Sequence, residues 1–227
     1  MNTSIADNIA RVRAQMAAAC QSAGRAPDSV QLLAVSKTWG PEAVRQAHAA
    51  GQTAFGENYI QEAVDKIGAL KDLPLQWHCI GPIQSNKTRL VAEYFDWVHS
   101  IDRLKIAQRL SDQRPAQLPP LQVCIQVNVD GGETKSGVNP PDLAALAQAV
   151  AALPRLQLRG LMTIPEPAET DAQMRAVHRQ AKDLFEQLRA HGLPLDTLSM
   201  GMSADMAAAI AEGSTMVRVG TAIFGKR

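Results

Sequence analysis

The chain has 227 residues, 46% of them hydrophobic and 4% aromatic, with 23 Lys and Arg against 22 Asp and Glu. A single α/β domain of this length can bury a substantial core, while a net charge of +1 leaves no electrostatic footprint for nucleic acid. Three scattered cysteines, Cys20, Cys79 and Cys124, form no C-x-x-C and read as small buried residues of a reduced, cytoplasmic protein.

Ser4-x-x-Asp7 has the form of a capping box, and Ile5, Ile9, Val12 and Met16 follow at helical spacing as far as Gly24 and Pro27. Asp7, Arg11 and Arg13 lie where a secretory signal would be apolar, and no later run approaches the roughly 18 apolar residues of a spanning helix. Next comes Gln31 to Thr38, a strand whose alternation sends Leu33, Val35 and Lys37 to one face and Leu32, Ala34 and Ser36 to the other. Two apolar faces predict a strand covered on both sides, as in a parallel sheet. Lys37 is its last inward position. Half in low dielectric, it would lose ammonium character and offer a free amine for imine formation; the plain alternative is a lysine marking the strand's exit into solvent.

Pro41 opens a helix to about Ala50, followed by a strand at Thr53 to Gly56, a helix from Glu57 to Leu70 and a strand from Leu75 to Ile80. A helix from Asn86 to Glu93, a strand from Phe95 to Ser100 and a helix from Asp102 to about Gln113 lead into the Pro-rich stretch 114–120. Strands at Leu121 to Val129, Leu156 to Thr163, Thr197 to Met200 and Met216 to Gly220 then alternate with helices at Pro141 to Ala152, Asp171 to His191 and Ala204 to Glu212. Eight β/α units with no linker predict one TIM-type (β/α)8 barrel domain with an extra N-terminal helix. The alternative, an open doubly wound sheet, would bring a glycine fingerprint after the first strand, and none is present.

In a closed barrel the C-terminal ends of strands one and eight are neighbours, and phosphate commonly sits at the loops after strands seven and eight. Ser199-Met-Gly-Met-Ser203-Ala-Asp205 follows strand seven, with small residues and a Ser203 hydroxyl that suit an anion or, more plainly, an N-capped helix. On strand eight, alternation turns Val217 and Val219 to the helices and Arg218 into the barrel. An interior guanidinium needs acceptors, supplied either by a ligand or by a structural salt bridge. Gly220 and Thr221 add backbone donors beside Ser203. An amine, an inward arginine and a phosphate cradle together describe pyridoxal 5′-phosphate (PLP), with its aldehyde, ring nitrogen and phosphate. His48, His78, His99, His178 and His191 show no metal-ligand spacing and read as ordinary packed or surface residues.

Ala34-Val-Ser-Lys37-Thr38, Phe55-Gly-Glu-Asn58-Tyr59, His78-x-Ile-Gly81, Gln84-Ser-Asn-Lys87, His99-Ser-Ile-Asp102, Lys135-Ser-Gly137, Gly160-Leu-Met-Thr163, Ser199-Met-Gly-Met-Ser203-x-Asp205 and Val217-Arg-Val-Gly-Thr221 occur in this order. Together they resemble the PLP homeostasis family, also called the YggS-like or proline synthase co-transcribed proteins, over nearly the whole chain. The resemblance implies a barrel like the alanine racemase N-terminal domain (PLP fold type III), with PLP held as an internal aldimine on Lys37. It further implies Arg218 at the pyridine nitrogen, Ser203, Gly220 and Thr221 at the phosphate, and Asn58 near the ring. Trp39-Gly40 departs from the Lys-Pro of many relatives, so no role for a second lysine carries over.

The family is generally regarded as lacking ordinary PLP-enzyme turnover, and a permanently cationic Arg218 would make the ring a weaker electron sink than an aspartate would. A barrel racemase also brings a second domain with an acid/base tyrosine, for which this chain has no room after strand eight. The expectation is therefore a non-catalytic, monomeric PLP carrier that delivers cofactor to PLP-dependent apoenzymes and has no catalytic residues. The competing readings are a small racemase or decarboxylase in which Tyr59 assists Lys37, and a class I aldolase using Lys37 without PLP. Lys135 reads as a solvated loop lysine, with a transient PLP or anion site as its alternative.

Overall fold

The computed structural model describes residues 4–132 and 136–226. Eight parallel strands close into a barrel in sequence order, β1 (Gln31–Val35), β2 (Ala54–Glu57), β3 (Gln76–Cys79), β4 (Trp97–Ile101), β5 (Leu121–Gln126), β6 (Leu156–Met162), β7 (Thr197–Ser199) and β8 (Met216–Val219). The seam is made by β1 and β8, with Leu33 level with Arg218 and Ala34 level with Val219. Around the outside run α2 (Pro41–Ala49), α3 (Ile60–Ala69), α4 (Thr88–Tyr94), α5 (Leu104–Gln113), α6 (Pro140–Ala151), α7 (Asp171–Ala190) and α8 (Met206–Ala211).

The two faces of each strand divide as alternation requires. Leu32, Ala34, Phe55, Val217 and Val219 join the large core under the helices, whereas Leu33, Ala54, Ile80 and Met216 pack together with Val35 inside the barrel. Trp97, Cys124 and Met162 form a separate interior group. The N-terminal helix α1 (Ile5–Ser22) starts with a true capping box between Ser4 and Asp7 and buries Ile9, Val12, Met16 and Cys20. It packs against α2, α8 and the short α9 (Thr221–Phe224), closing the outside of the seam. Burial of Ile9, Val12 and Met16 stabilises the fold by about 1.5–3 kcal/mol each. All three cysteines are buried and free.

The differences from the sequence reading fall at element ends: Glu57, expected to open a helix, closes β2, and α3 starts at Ile60. β1 stops at Val35 and β5 at Gln126; Val127 still donates its amide to the Met162 carbonyl of β6 at 3.0 Å, and it also bridges Val138. One further amide on each strand, Ser36 to the Gly56 carbonyl and Val127 to the Met162 carbonyl, reaches its neighbour before the chain turns into βα loop. Helix α8 begins at Met206 and not at Ala204, and α9 occupies a stretch that reads as plain tail.

Candidate functional site

A cavity of about 400 Å³ opens at the C-terminal mouth of the barrel, and Lys37, Asn58, Ser203, Arg218, Gly220 and Thr221 all line it. Val35, Ile80 and Ile164 supply apolar walls between these groups. The six residues come from the ends of β1, β2, β7 and β8, so only closure of the sheet brings them together.

Lys37 sits two residues beyond β1, in a turn closed by the Trp39 amide donating to the Ser36 carbonyl at 3.0 Å. The expected half-buried ammonium is not found: the turn lifts Lys37 to an exposed position at the mouth. Trp39, the departure noted above, stacks on Phe224 of α9 with ring centroids 6.0 Å apart. Asn58 follows β2, and its Oδ1 is buried without a partner among the described residues. Gly81 lets Asn58 sit where it does, because a Cβ there would come within 2.5 Å of the Asn58 carbonyl.

Ser203 is exposed in the loop between β7 and α8. It does not cap that helix. The loop is held instead by Asp205, whose carboxylate accepts the Met202 amide at 2.7 Å and pairs with buried His178 at 2.9 Å. These bonds keep the Asp205 carboxyl below its ordinary range although burial opposes them. Gly220 passes close to β1, where an added Cβ would stand 3.2 Å from the Val35 carbonyl.

Arg218 is 4% exposed and points inward as alternation predicts. Its guanidinium donates to Ser199 Oγ at 2.8 Å and to the Thr163 carbonyl at 2.7 Å, and no carboxylate of the described residues lies within ion-pair distance. The salt-bridge alternative therefore falls. Burial pulls this arginine down to about 10, with Asp205 offsetting only part of the effect.

Sequence reasoning missed what lies behind Arg218. Ser199 Oγ is 2.9 Å from His99 Nδ1, His99 Nε2 is 2.8 Å from His78 Nδ1, and His78 Nε2 is 3.0 Å from Gln76 Oε1. Burial holds His78 at about 3 and His99 well below the usual imidazole range, so both rings are neutral. A guanidinium can only donate, so Ser199 accepts from it and passes its own hydrogen to His99, which donates to His78, which donates to Gln76. The signal was present in the alternation: His78 and His99 share the inward face with Ile80 and Trp97.

Other expectations do not join the site. Tyr59 is 55% exposed and is not part of the cavity wall, and Lys135 lies outside the described residues. A second cavity of about 430 Å³ opens behind the Lys37 turn, but its Lys66 and Glu62 are already bonded to each other.

The residues present fit PLP: an amine that would take the aldehyde, a cation without a carboxylate partner among the described residues and hydroxyl donors that would meet negative charge, and an orphaned Asn58 oxygen in the same cavity wall. Fold and site together define a class, a (β/α)8 barrel with an exposed lysine and a buried arginine lining one mouth cavity suited to a phosphorylated aldehyde. The family model of the alanine racemase N-terminal domain matches residues 4–227, and the chain belongs to that family. A Pseudomonas aeruginosa protein named pyridoxal phosphate homeostasis protein is 62% identical over 225 residues, covering 99% of this chain and 96% of its own. The Escherichia coli protein of the same name is 56% identical over 226 residues, with coverages of 98% and 97%. Among solved structures, PipY of Synechococcus elongatus with PLP bound superposes with a TM-score of 0.86 at 41% identity, over 98% of this chain and all of that one. Alanine racemase from Corynebacterium glutamicum shares the fold at 21% identity and TM-score 0.68, this chain spanning 59% of its length.

Proposed function

We propose that this chain is a PLP-binding protein that holds the cofactor at the barrel mouth and takes part in PLP homeostasis without ordinary enzymatic turnover. One observation carries the reading: Lys37 and a buried Arg218 that lacks a carboxylate partner among the described residues converge on a single cavity. When bound, PLP supplies an electrophilic aldehyde, a pyridine nitrogen and a dianionic phosphate. Lys37 is the amine for the aldehyde. Arg218 faces the ring nitrogen, where a fixed cation opposes protonation and weakens the ring as an electron sink. Ser203, Gly220 and Thr221 take the phosphate, and Asn58 orients the ring. Full-length relatives named for PLP homeostasis and a PLP-bound structural relative support the same role.

The domain is a single PLP-binding barrel. The large hydrophobic side chains left exposed among the described residues are Tyr59, Tyr94 and Met202, too few for an extended apolar interface, which supports a monomer. Buried free cysteines suit a cytoplasmic setting, where PLP-dependent apoenzymes are the recipients. Lys37→Ala is expected to abolish the yellow, borohydride-reducible chromophore while circular dichroism stays unchanged; a retained chromophore would assign the wrong lysine. Incubation of the PLP-loaded protein with single L-amino acids in deuterated water checks the carrier role, and Cα exchange with racemised product would replace it with a racemase. Bleaching of the visible spectrum on adding an apoenzyme tests delivery.

A further inference from the structure

Lys37 itself is exposed, yet both of its peptide neighbours are tied to one buried ionic cluster. Lys66 of α3 is 3% exposed and spends its ammonium on the Ser36 carbonyl at 2.9 Å, Glu57 Oε1 at 2.6 Å and Glu62 Oε1 at 3.1 Å. Glu57 Oε1 also accepts the Ser36 hydroxyl at 2.6 Å, and Glu62 Oε1 accepts the Thr38 amide at 2.7 Å. The residue before Lys37 and the residue after it are thus bound to the same ammonium, directly or through a carboxylate.

The conformation so held is not one the chain adopts unaided. Thr38 has φ of 66°, in the left-handed region that a β-branched residue avoids. Such a residue costs on the order of 1–3 kcal/mol and persists only where its surroundings impose it. None of Glu57, Glu62 and Lys66 lines the cavity, so whatever they contribute there passes through the turn. An ion pair that merely fastened α3 to β2 would have no need of the Ser36 carbonyl or the Thr38 amide.

We propose that Glu57, Lys66 and Glu62 are positioning residues that lock the 36–38 turn, so that the Lys37 amine stands at the cavity before a ligand arrives. The proposal rests on the assignment of the cavity to PLP and adds what sets the ease of capture. In that capture the neutral Lys37 amine would add to the aldehyde carbon, and its two hydrogens would leave with the aldehyde oxygen as water, the lost carbon–oxygen double bond being replaced by a carbon–nitrogen double bond. A turn ordered in advance spares this step the entropy of fixing backbone and amine together.

The test compares two probes on the full chain. PLP can bond to Lys37, whereas pyridoxamine 5′-phosphate carries an amine in place of the aldehyde and cannot. Glu62→Ala removes the Thr38 tether at a position whose side chain is 37% exposed, which spares the fold. It is expected to raise the PLP dissociation constant by between about two- and tenfold, the range for freeing one ordered side chain, and to leave pyridoxamine 5′-phosphate affinity unchanged. Glu62→Gln keeps an acceptor for the Thr38 amide and should recover most of the loss. The clamp is overturned if Glu62→Ala matches the wild type with both probes, or weakens both equally. A wild-type protein that takes up neither probe removes the cofactor reading and this proposal with it, a result distinct from an unaffected Glu62→Ala beside a wild type that binds PLP.

Discussion

Lys66 and Arg218 are both cations buried to within a few per cent of complete, and they are satisfied in opposite ways. Lys66 faces two carboxylates and a carbonyl, a closed set that leaves nothing for a ligand. Arg218 faces one hydroxyl and one carbonyl, both neutral, and its open side is the cavity. Burying a charge is costly unless it is paired. A buried cation with its counter-ions supplied by the fold is therefore scaffold, and one without them marks where an anionic or electron-rich ligand belongs.

The largest effect should come from the scaffold cation. Lys66→Met strands the Glu57 carboxylate, which burial already pushes toward protonation against the pull of Lys66 and Ser36, and should cost about 3–5 kcal/mol in urea unfolding. Adding Glu57→Gln to the same chain should restore most of that loss, since the stranded charge disappears. A loss below about 1 kcal/mol would break the contrast between the two cations.

Arg218→Leu should behave in the reverse manner. Removing a buried charge that has no counter-ion leaves ligand-free stability nearly unchanged or raised. PLP affinity should fall by about 10- to 100-fold, as expected for one charged hydrogen bond worth about 1.5–3 kcal/mol, read from a spectrophotometric titration. Equal damage to stability and binding would make Arg218 scaffold after all.

Near neutral pH the smallest effect belongs to the neutral histidines behind Arg218, and it grows only as the solution is acidified. The folded His78 sits at about 3 and His99 is also lowered, while the unfolded rings titrate near 6.5. The unfolded chain binds protons that the native one refuses, so this stability is complete above about 6.5 and is lost as pH falls toward 3, by up to about 1.4 kcal/mol per pH unit and ring. Glu57, raised by burial, works with the opposite sign, its contribution being largest at low pH. Urea midpoints across this range check the slope, and His78→Gln should flatten it. An unchanged slope in that variant would remove His78 from the account.

Much of the site was legible because alternation in a strand is a local rule. Leu33 and Val35 inward, Leu32 and Ala34 outward, and Arg218 inward between two outward valines all follow from the pleat alone. The same rule applied to β3 and β4 would have placed His78 and His99 inside, but histidine tolerates surface and core alike, and nothing local tells which neighbour it will meet 21 residues away. Ser203 as a helix cap failed for a related reason: Asp205 is close enough in space to take the Met202 amide, and His178 from α7 holds it there.

By itself the sequence determined the eight-unit order, the covered faces of the strands and the chemical identities of the groups at their ends. These depend on spacing and side-chain type, which are carried along the chain. Only the tertiary structure decided that Lys37 stands exposed on a clamped left-handed turn, that Arg218 has neutral partners, and that a histidine chain lies beneath it. Each of these depends on which groups burial brings together across the closed sheet, and burial sets the cost of every unpaired charge.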